Sequence, residues 1–316
     1  MTRPRPLPEP LASRPFAVRE AVTLGVTRGR LRAGDLDHSF HGVRAARPAT
    51  TTVERCRLLA ERLPAQAYFS HATAALLLGA PLPWRLEGAA ELHVSVPAPR
   101  RAPHGHGIIG HSGSAPEPAI EIAGLRASSP ARTWCDLGDL LALDDLVAVG
   151  DFLIARRSPL TTLDALRRAV AMSSCRRGIR TLQAALPLLD NRSESRPESR
   201  LRVLVVLAGL GKPVVNQDVS DRFGEFVART DLELPELGVV LEYQGDYHRT
   251  SRDQWRADMT RRSRIELTGR RVLEVNASDL ANPLDLLQRI LTLARIARPD
   301  AELPRLALPR VLRATK

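Results

Sequence analysis

Two acids, Asp231 and Glu242, fall in mid-strand positions of the stretch DLELPELGVVLEYQGDYH (231–248). In GEFVARTDLEL (224–234), alternate side chains share a face. Phe226, Ala228, Thr230, Leu232 and Leu234 lie on one side, and Val227, Arg229, Asp231 and Glu233 on the other. GVVLEYQG (238–245) divides the same way, with Val239, Leu241 and Tyr243 opposed to Val240, Glu242 and Gln244. A turn over Pro235 to Gly238 would pair the strands and bring Asp231 and Glu242 together on the polar face. Adjacent anions repel unless a cation or an arginine sits between them. The chemistry this suggests is divalent-cation binding. Mg2+ (or Mn2+) takes one or two carboxylates and completes its shell with water and phosphate oxygens. The alternative is an ordinary exposed hairpin face.

The elements around the hairpin read as an α/β core. SRPESRLRVLVVLAGLG is a helix and KPVVNQDVS (212–220) a first strand. After the hairpin, a helix runs from Ser251 to about Thr268 and stops at Gly269. RRVLEVNAS (270–278) is a strand and NPLDLLQRILTLARI a closing helix. On the Ser251 helix, Asp258, Arg261 and Arg262 read either as a solvated salt-bridge face or as arginines that grip phosphates. Trp255 and Met259, at i and i+4, read as core.

This order, carrying ESRLR, RTDLELPE, LEYQGDYH and DMTRR, resembles the PD-(D/E)xK nuclease superfamily. More closely, it resembles a small domain of unknown function related to the very-short-patch-repair (Vsr) endonucleases, over about residues 192–298. The resemblance implies a restriction-endonuclease-like α/β (α+β) fold and metal-dependent DNA hydrolysis. It implies Glu198, Asp231 and Glu242 as the catalytic acids, with the metal on Asp231 and Glu242. The position two beyond the third-strand acid is usually lysine; here it is Gln244, which supplies neither a lysine's charge nor a carboxylate's. His248 matches a recurring histidine after the third strand that would polarise a phosphate. Arg229, Arg261 and Arg262 would face DNA.

Composition is compatible with that partner. The chain has 46 basic and 35 acidic residues, a formal charge of +11. Almost every basic residue is arginine, with lysine only at Lys212 and Lys316. A field of this sign attracts polyanions, nucleic acid first. Cys56, Cys135 and Cys175 form no CxxC pair, which argues against a zinc site or a disulfide framework and fits a reducing cytoplasm. The N-terminal MTRPRPLPEPLASRPF lacks the apolar core of a signal peptide, and 67–84 is too interrupted to span a membrane.

Upstream, AVREAVTLG ends at Gly25, and Thr27 can cap a second helix, TRGRLRAGDL, bearing Arg28, Arg30 and Arg32. HSFHGVRA follows as a β-wing. Such a helix suits phosphate contact and major-groove docking; a helical hairpin with a solvated arginine face is the plainer reading. ELHVSVPA alternates like a half-buried strand. His71, His104, His106 and His111 have no carboxylate at a metal-ligand spacing, and HGHG (104–107) reads as a loop. Residues 141–186 are helical and read as packing alone. PFAVREAVTLGVTRGRLRAGDL with HGVRA, then YFSHATAALLLGAPLP and RASSPARTWCDLGDL, resembles AbiEi-type antitoxins of type IV toxin–antitoxin systems. That likeness implies a winged helix-turn-helix, autoregulation and a cognate toxin as partner. The organisation expected is a winged-helix DNA-binding region over 1–50, a mixed and helical AbiEi-like region over 51–190, the nuclease-fold domain over 191–298 and a tail over 299–316, with the seam at LPLLDNRSESRPES. The function expected is a cytoplasmic DNA-binding protein with a Mg2+-dependent endonuclease domain. The alternative is a non-catalytic antitoxin or transcriptional regulator whose nuclease fold is degenerate.

Overall fold

The computed structural model describes residues 4–113, 119–173, 177–245 and 252–307. The chain is mixed α/β, with three sheets among the described residues. No described helix is long and apolar enough to cross a membrane. The chain divides into two compact units, Met1–Leu137 and Gly138–Lys316. Residues 138–190 therefore belong with the C-terminal half, and the division does not fall at the polar seam near 190.

The first unit begins with α1 (Glu9–Ala12), β1 (Phe16–Ala17), α2 (Val18–Thr23) and β2 (Val43–Arg44). β1 and β2 pair antiparallel, Phe16 opposite Arg44, and Leu11, Phe16, Ala21, Val26 and Leu31 close a small core. The second helix expected after Thr27 is only a 3-10 turn, Arg30–Arg32. Thr27 does accept the Arg30 N–H, but Gly29, Gly34 and the short apolar stripe cannot sustain a longer helix.

The unit continues with α3 (Thr52–Ala60), β3 (Tyr68–Phe69), α4 (His71–Leu77), α5 (Trp84–Glu87), β4 (Leu92–Pro97), β5 (Ile108–Gly113), β6 (Ile120–Ile122), β7 (Leu125–Ala127) and α6 (Pro130–Asp136). The strands form one sheet in the order β5-β4-β3-β7-β6. β4 is covered on both faces, so ELHVSVPA is not half-buried as its alternation suggested. Leu92, Val94 and Val96 enter the apolar core, while His93 and Ser95, of opposite parity, are also buried.

The second unit opens with α7 (Leu143–Leu153), α8 (Leu163–Met172) and α9 (Ile179–Ala185), and continues with α10 (Arg196–Leu207) and β8 (Val214–Ser220). Then come β9 (Phe226–Leu234), β10 (Val239–Tyr243), α11 (Arg252–Glu266), β11 (Arg271–Val275), α12 (Ala277–Ala281) and α13 (Pro283–Ala297). The sheet order is β11-β10-β9-β8; β10 and β11 are parallel and the other pairs antiparallel. One core joins Leu201, Leu204 and Val205 of α10 and Leu286, Leu287 and Ile290 of α13 to Leu232, Leu234, Val239 and Leu241 of the sheet. A smaller one sets Ile265 of α11 with Ala228, Val240 and Val272. Leu303 and Leu306, in the segment read as a tail, pack on the larger core.

α7 is more than packing. Its Asp144, Asp145 and Asp151 meet Arg200, Arg196 and Arg202 of α10 at 2.8, 2.9 and 2.6 Å. Asp151 and Arg202 are 1% and 3% exposed, making theirs a buried ion pair. Ser199 donates to the same Asp151 carboxylate, and the Asp190 N–H caps its other oxygen. These bonds tie the helix that bears Glu198 to the helical layer.

Candidate functional site

The hairpin turns as expected. Leu237 N–H bonds Leu234 O, and Gly238 takes a φ of +66, which its missing Cβ allows. The register sets Leu232 opposite Leu241 and Glu233 opposite Val240. Pairing recorded for β9 and β10 ends there, and one step on, Asp231 replaces the backbone as acceptor: its Oδ2 takes the Tyr243 N–H at 2.7 Å. The same register carried on puts Glu242 opposite Asp231, on the face covered by α11.

Glu242 is 5% exposed. Its Oε2 accepts from Arg261 Nη1 at 2.5 Å, while Oε1 is buried without a hydrogen-bond partner. Burial, reinforced by the Glu242 charge, pushes the Asp231 carboxyl up to about 7, against the pull of the Tyr243 N–H and Arg261. Burial also raises Glu242, and its bond to Arg261, with a weaker pull from the Asp231 N–H, opposes the rise. The pair is thus short of positive charge. The unfilled Oε1 and the raised acids fit a divalent cation, which would supply the missing ligand bond and charge together.

Glu198 sits at the first turn of α10, near enough that its charge helps raise Asp231. It is also a cap. Its Oε1 accepts from Ser195 Oγ at 2.8 Å, and its Oε2 from Glu194 N–H at 3.0 Å and Asn216 Nδ2 at 2.9 Å. Gln244 lies just past the end of β10, and its N–H still bonds Val275 O at 2.7 Å, extending the pairing with β11. His248 and the Trp255 side chain lie outside the described residues.

The arginines divide. Arg261 is turned toward Glu242, with its second nitrogen on Arg229 O and its side chain still 39% exposed. Arg229 pairs with Glu194 at 2.7 Å. Arg262 lies along α11 beside Glu266, 3.4 Å away. In the first unit, Arg30 forks onto Asp35 at 2.8 and 2.9 Å and also bonds Arg5 O, which withdraws it from the phosphate role. Arg28 and Arg32 are exposed. Met259, read as core, is 48% exposed.

A second constellation was missed. His71 and His111, with His93, gather in the first unit and could hold a metal ion. His71 starts α4, while β4 and β5 run parallel with His111 opposite Ser95, the neighbour of His93 on its face. HGHG (104–107) is a loop, as read. Burial, with the neighbouring rings adding, pushes His71 down to about 2 and His93 to about 4. Alternation along ELHVSVPA puts His93 beside Ser95, but no local spacing signals where His71 and His111 converge on it.

Comparison with known proteins adds relatives without a function. No family model matches the chain. Two uncharacterized proteins of Mycobacterium tuberculosis, one from each of two strains, are each 28% identical to it over 178 residues. The match covers 56% of this chain and 62% of theirs, so the chain spans less than two thirds of the curated relatives it matches.

The raised Asp231 carboxyl has a measurable consequence. A group whose folded pKa exceeds its unfolded value stabilises at low pH, and that contribution is lost as pH rises through the folded pKa. For Asp231 the window runs from its ordinary 3.8 to about 7. Asp231→Asn keeps an acceptor for Tyr243 N–H and does not titrate. Calorimetry is expected to find the variant melting above wild type at about pH 8, with the gap closing toward about pH 4. A gap that does not change with pH would mean that Asp231 carries no burial penalty.

Proposed function

We propose that the protein is DNA-directed and that its C-terminal unit is a metal-dependent endonuclease domain of the restriction-endonuclease-like, Vsr-related kind. The observation that carries this reading is half-buried Asp231 beside buried Glu242, with Glu242 Oε1 unsatisfied. Bound there, Mg2+ would lower the pKa of a water and stabilise charge on the phosphate. Asp231 and Glu242 would hold it, each by its available oxygen. Glu198, already fixed by Ser195 and Asn216, would orient water on the Asp231 side. Gln244, at the strand end, would offer an amide to the attacking water without lysine's charge, so turnover would be slow. The charge of +11, with Arg28 and Arg32 exposed in the N-terminal region, supports DNA as the partner.

One observation favours a second reading. Arg261 already gives Glu242 a positive partner, an arrangement a non-catalytic regulator or AbiEi-like antitoxin could retain, with a cognate toxin as its partner. A thermal shift with Mg2+ separates the two, because this hard cation prefers carboxylates to imidazoles. On the first reading Mg2+ raises the melting temperature of the full chain; a hundredfold excess over Kd is worth about 2.7 kcal/mol. Glu242→Gln is expected to abolish the rise. A wild type indifferent to Mg2+, or an undiminished rise in the variant, would favour the regulator.

A further inference from the structure

The polar face of the first unit's sheet carries groups that nuclease chemistry does not use. Ser70, Thr73, His93, Ser95 and Asp136 are all buried there or on the helices next to it, at 0 to 6% exposure. We propose that His71, His93 and His111 bind a divalent transition metal of the zinc class through three imidazole nitrogens, with one coordination position left for water or an anionic oxygen.

The donor atoms lie close enough to share one ion; the rings are near-parallel, with His71 stacked on His111 at 3.7 Å between centroids, so the His71 ring turns to bring its lone pair onto the ion. One ligand nitrogen from each ring lies within 4.8 Å of the others. His93 Nδ1 and His111 Nε2 are 3.0 Å apart. Two nitrogens on one tetrahedral zinc, each at about 2.0–2.1 Å, would lie about 3.3 Å apart. A proton bridges only one such nitrogen pair, whereas a cation at the centre engages all three rings.

The surroundings are those of a metal-binding histidine. His71 Nδ1 lies 2.9 Å from Ser70 Oγ and 3.7 Å from Asp136 Oδ2, which leaves Nε2 as the ligand atom. Asp136 is held by Arg132 Nε at 2.7 Å, and Ser70 accepts from Ser95 Oγ at 2.7 Å. The Ser70 hydroxyl fixes the ring's orientation, and the Asp136 carboxylate, beyond hydrogen-bond distance, favours the cation through its charge. His71 also takes a φ of +50, a left-handed conformation uncommon for a non-glycine residue. The donor set selects the ion: imidazole without a ligating carboxylate suits Zn2+ and its neighbours and disfavours Mg2+ and Ca2+. The His71 side chain is 15% exposed, which gives an ion a way in.

The test is Co2+ titration of the chelator-stripped full chain in excess Mg2+, followed by optical absorption. The expected result is one Co2+ per chain with the intense bands of a low-coordinate nitrogen site, displaced by Zn2+. His93→Asn and His111→Asn are expected to weaken binding at least about 100-fold, and Asp136→Asn about 10–100-fold. Asp231→Asn and Glu242→Gln should leave the bands unchanged. Because a histidine variant could misfold, the unsubstituted Co2+ protein gives an independent readout: paramagnetically shifted ring signals from three histidines. Absence of Co2+ binding, bands that survive in folded His93→Asn, or shifted signals from fewer than three rings would overturn the proposal. Bands lost instead on Asp231→Asn would place the ion at the carboxylates, ending this proposal while leaving the nuclease reading intact.

Discussion

Asp151→Ala is expected to lower the unfolding free energy by about 3–5 kcal/mol, a large share of a domain's stability. The cause is the partner left behind. Arg202 is 3% exposed, its Nε already lacks a hydrogen-bond partner, and its remaining bond goes to Leu188 O. Without the carboxylate, a guanidinium stays buried with its charge uncompensated. The loss reaches the site because Arg202 and Glu198 share α10, and the Asp151 network anchors that helix through Ser199. Removing both charges with Asp151→Leu and Arg202→Met is expected to recover much of the loss, since apolar replacements of a buried pair are often tolerated. Urea melts of the single and double variants check this. A single-variant loss below about 1 kcal/mol would place the pair among weak surface bridges.

Gln244→Lys is expected to speed Mg2+-dependent DNA nicking by about 10- to 100-fold, up to the low end of the roughly 100- to 1,000-fold effect of one well-placed electrostatic group. Gln244 follows β10 by one residue and remains paired to Val275, so a lysine there would extend from a fixed backbone beside Glu242. Its ammonium would stabilise hydroxide forming at the attacking water. The gain should vanish when Gln244→Lys is combined with Glu242→Gln, because the ammonium acts only beside a held cation. Faster cleavage by wild type than by Gln244→Lys would show the glutamine to be a working catalytic group.

The carboxylate hairpin was legible because its information is local. Strand parity and one turn determine which side chains share a face, and Asp231 and Glu242 are only 11 positions apart. The helix and strand order of the C-terminal unit followed from apolar periodicity for the same reason. What the sequence hid is long-range. Asp144, Asp145 and Asp151 find their arginines 51 to 56 residues away, so α7 read as a plain packing helix and the unit boundary was drawn after it. The role of Arg261 was hidden because helix spacing says nothing of a side chain reaching across to β10. The three histidines come from one helix start and two parallel strands, and only the register that sets Ser95 opposite His111 reveals their shared face. The expected helix at 27–36 failed because a cap and a row of arginines do not supply a buried stripe.

Nicking of supercoiled plasmid by wild type, Asp231→Asn and Glu242→Gln, with and without Mg2+, tests most directly whether Asp231 and Glu242 hold a catalytic cation. The expected result is slow nicking by wild type that needs Mg2+ and falls at least about 100-fold in either variant, as befits loss of a group that stabilises charge in the transition state. Equal nicking by all three proteins, or no Mg2+-dependent nicking by wild type, would contradict the account.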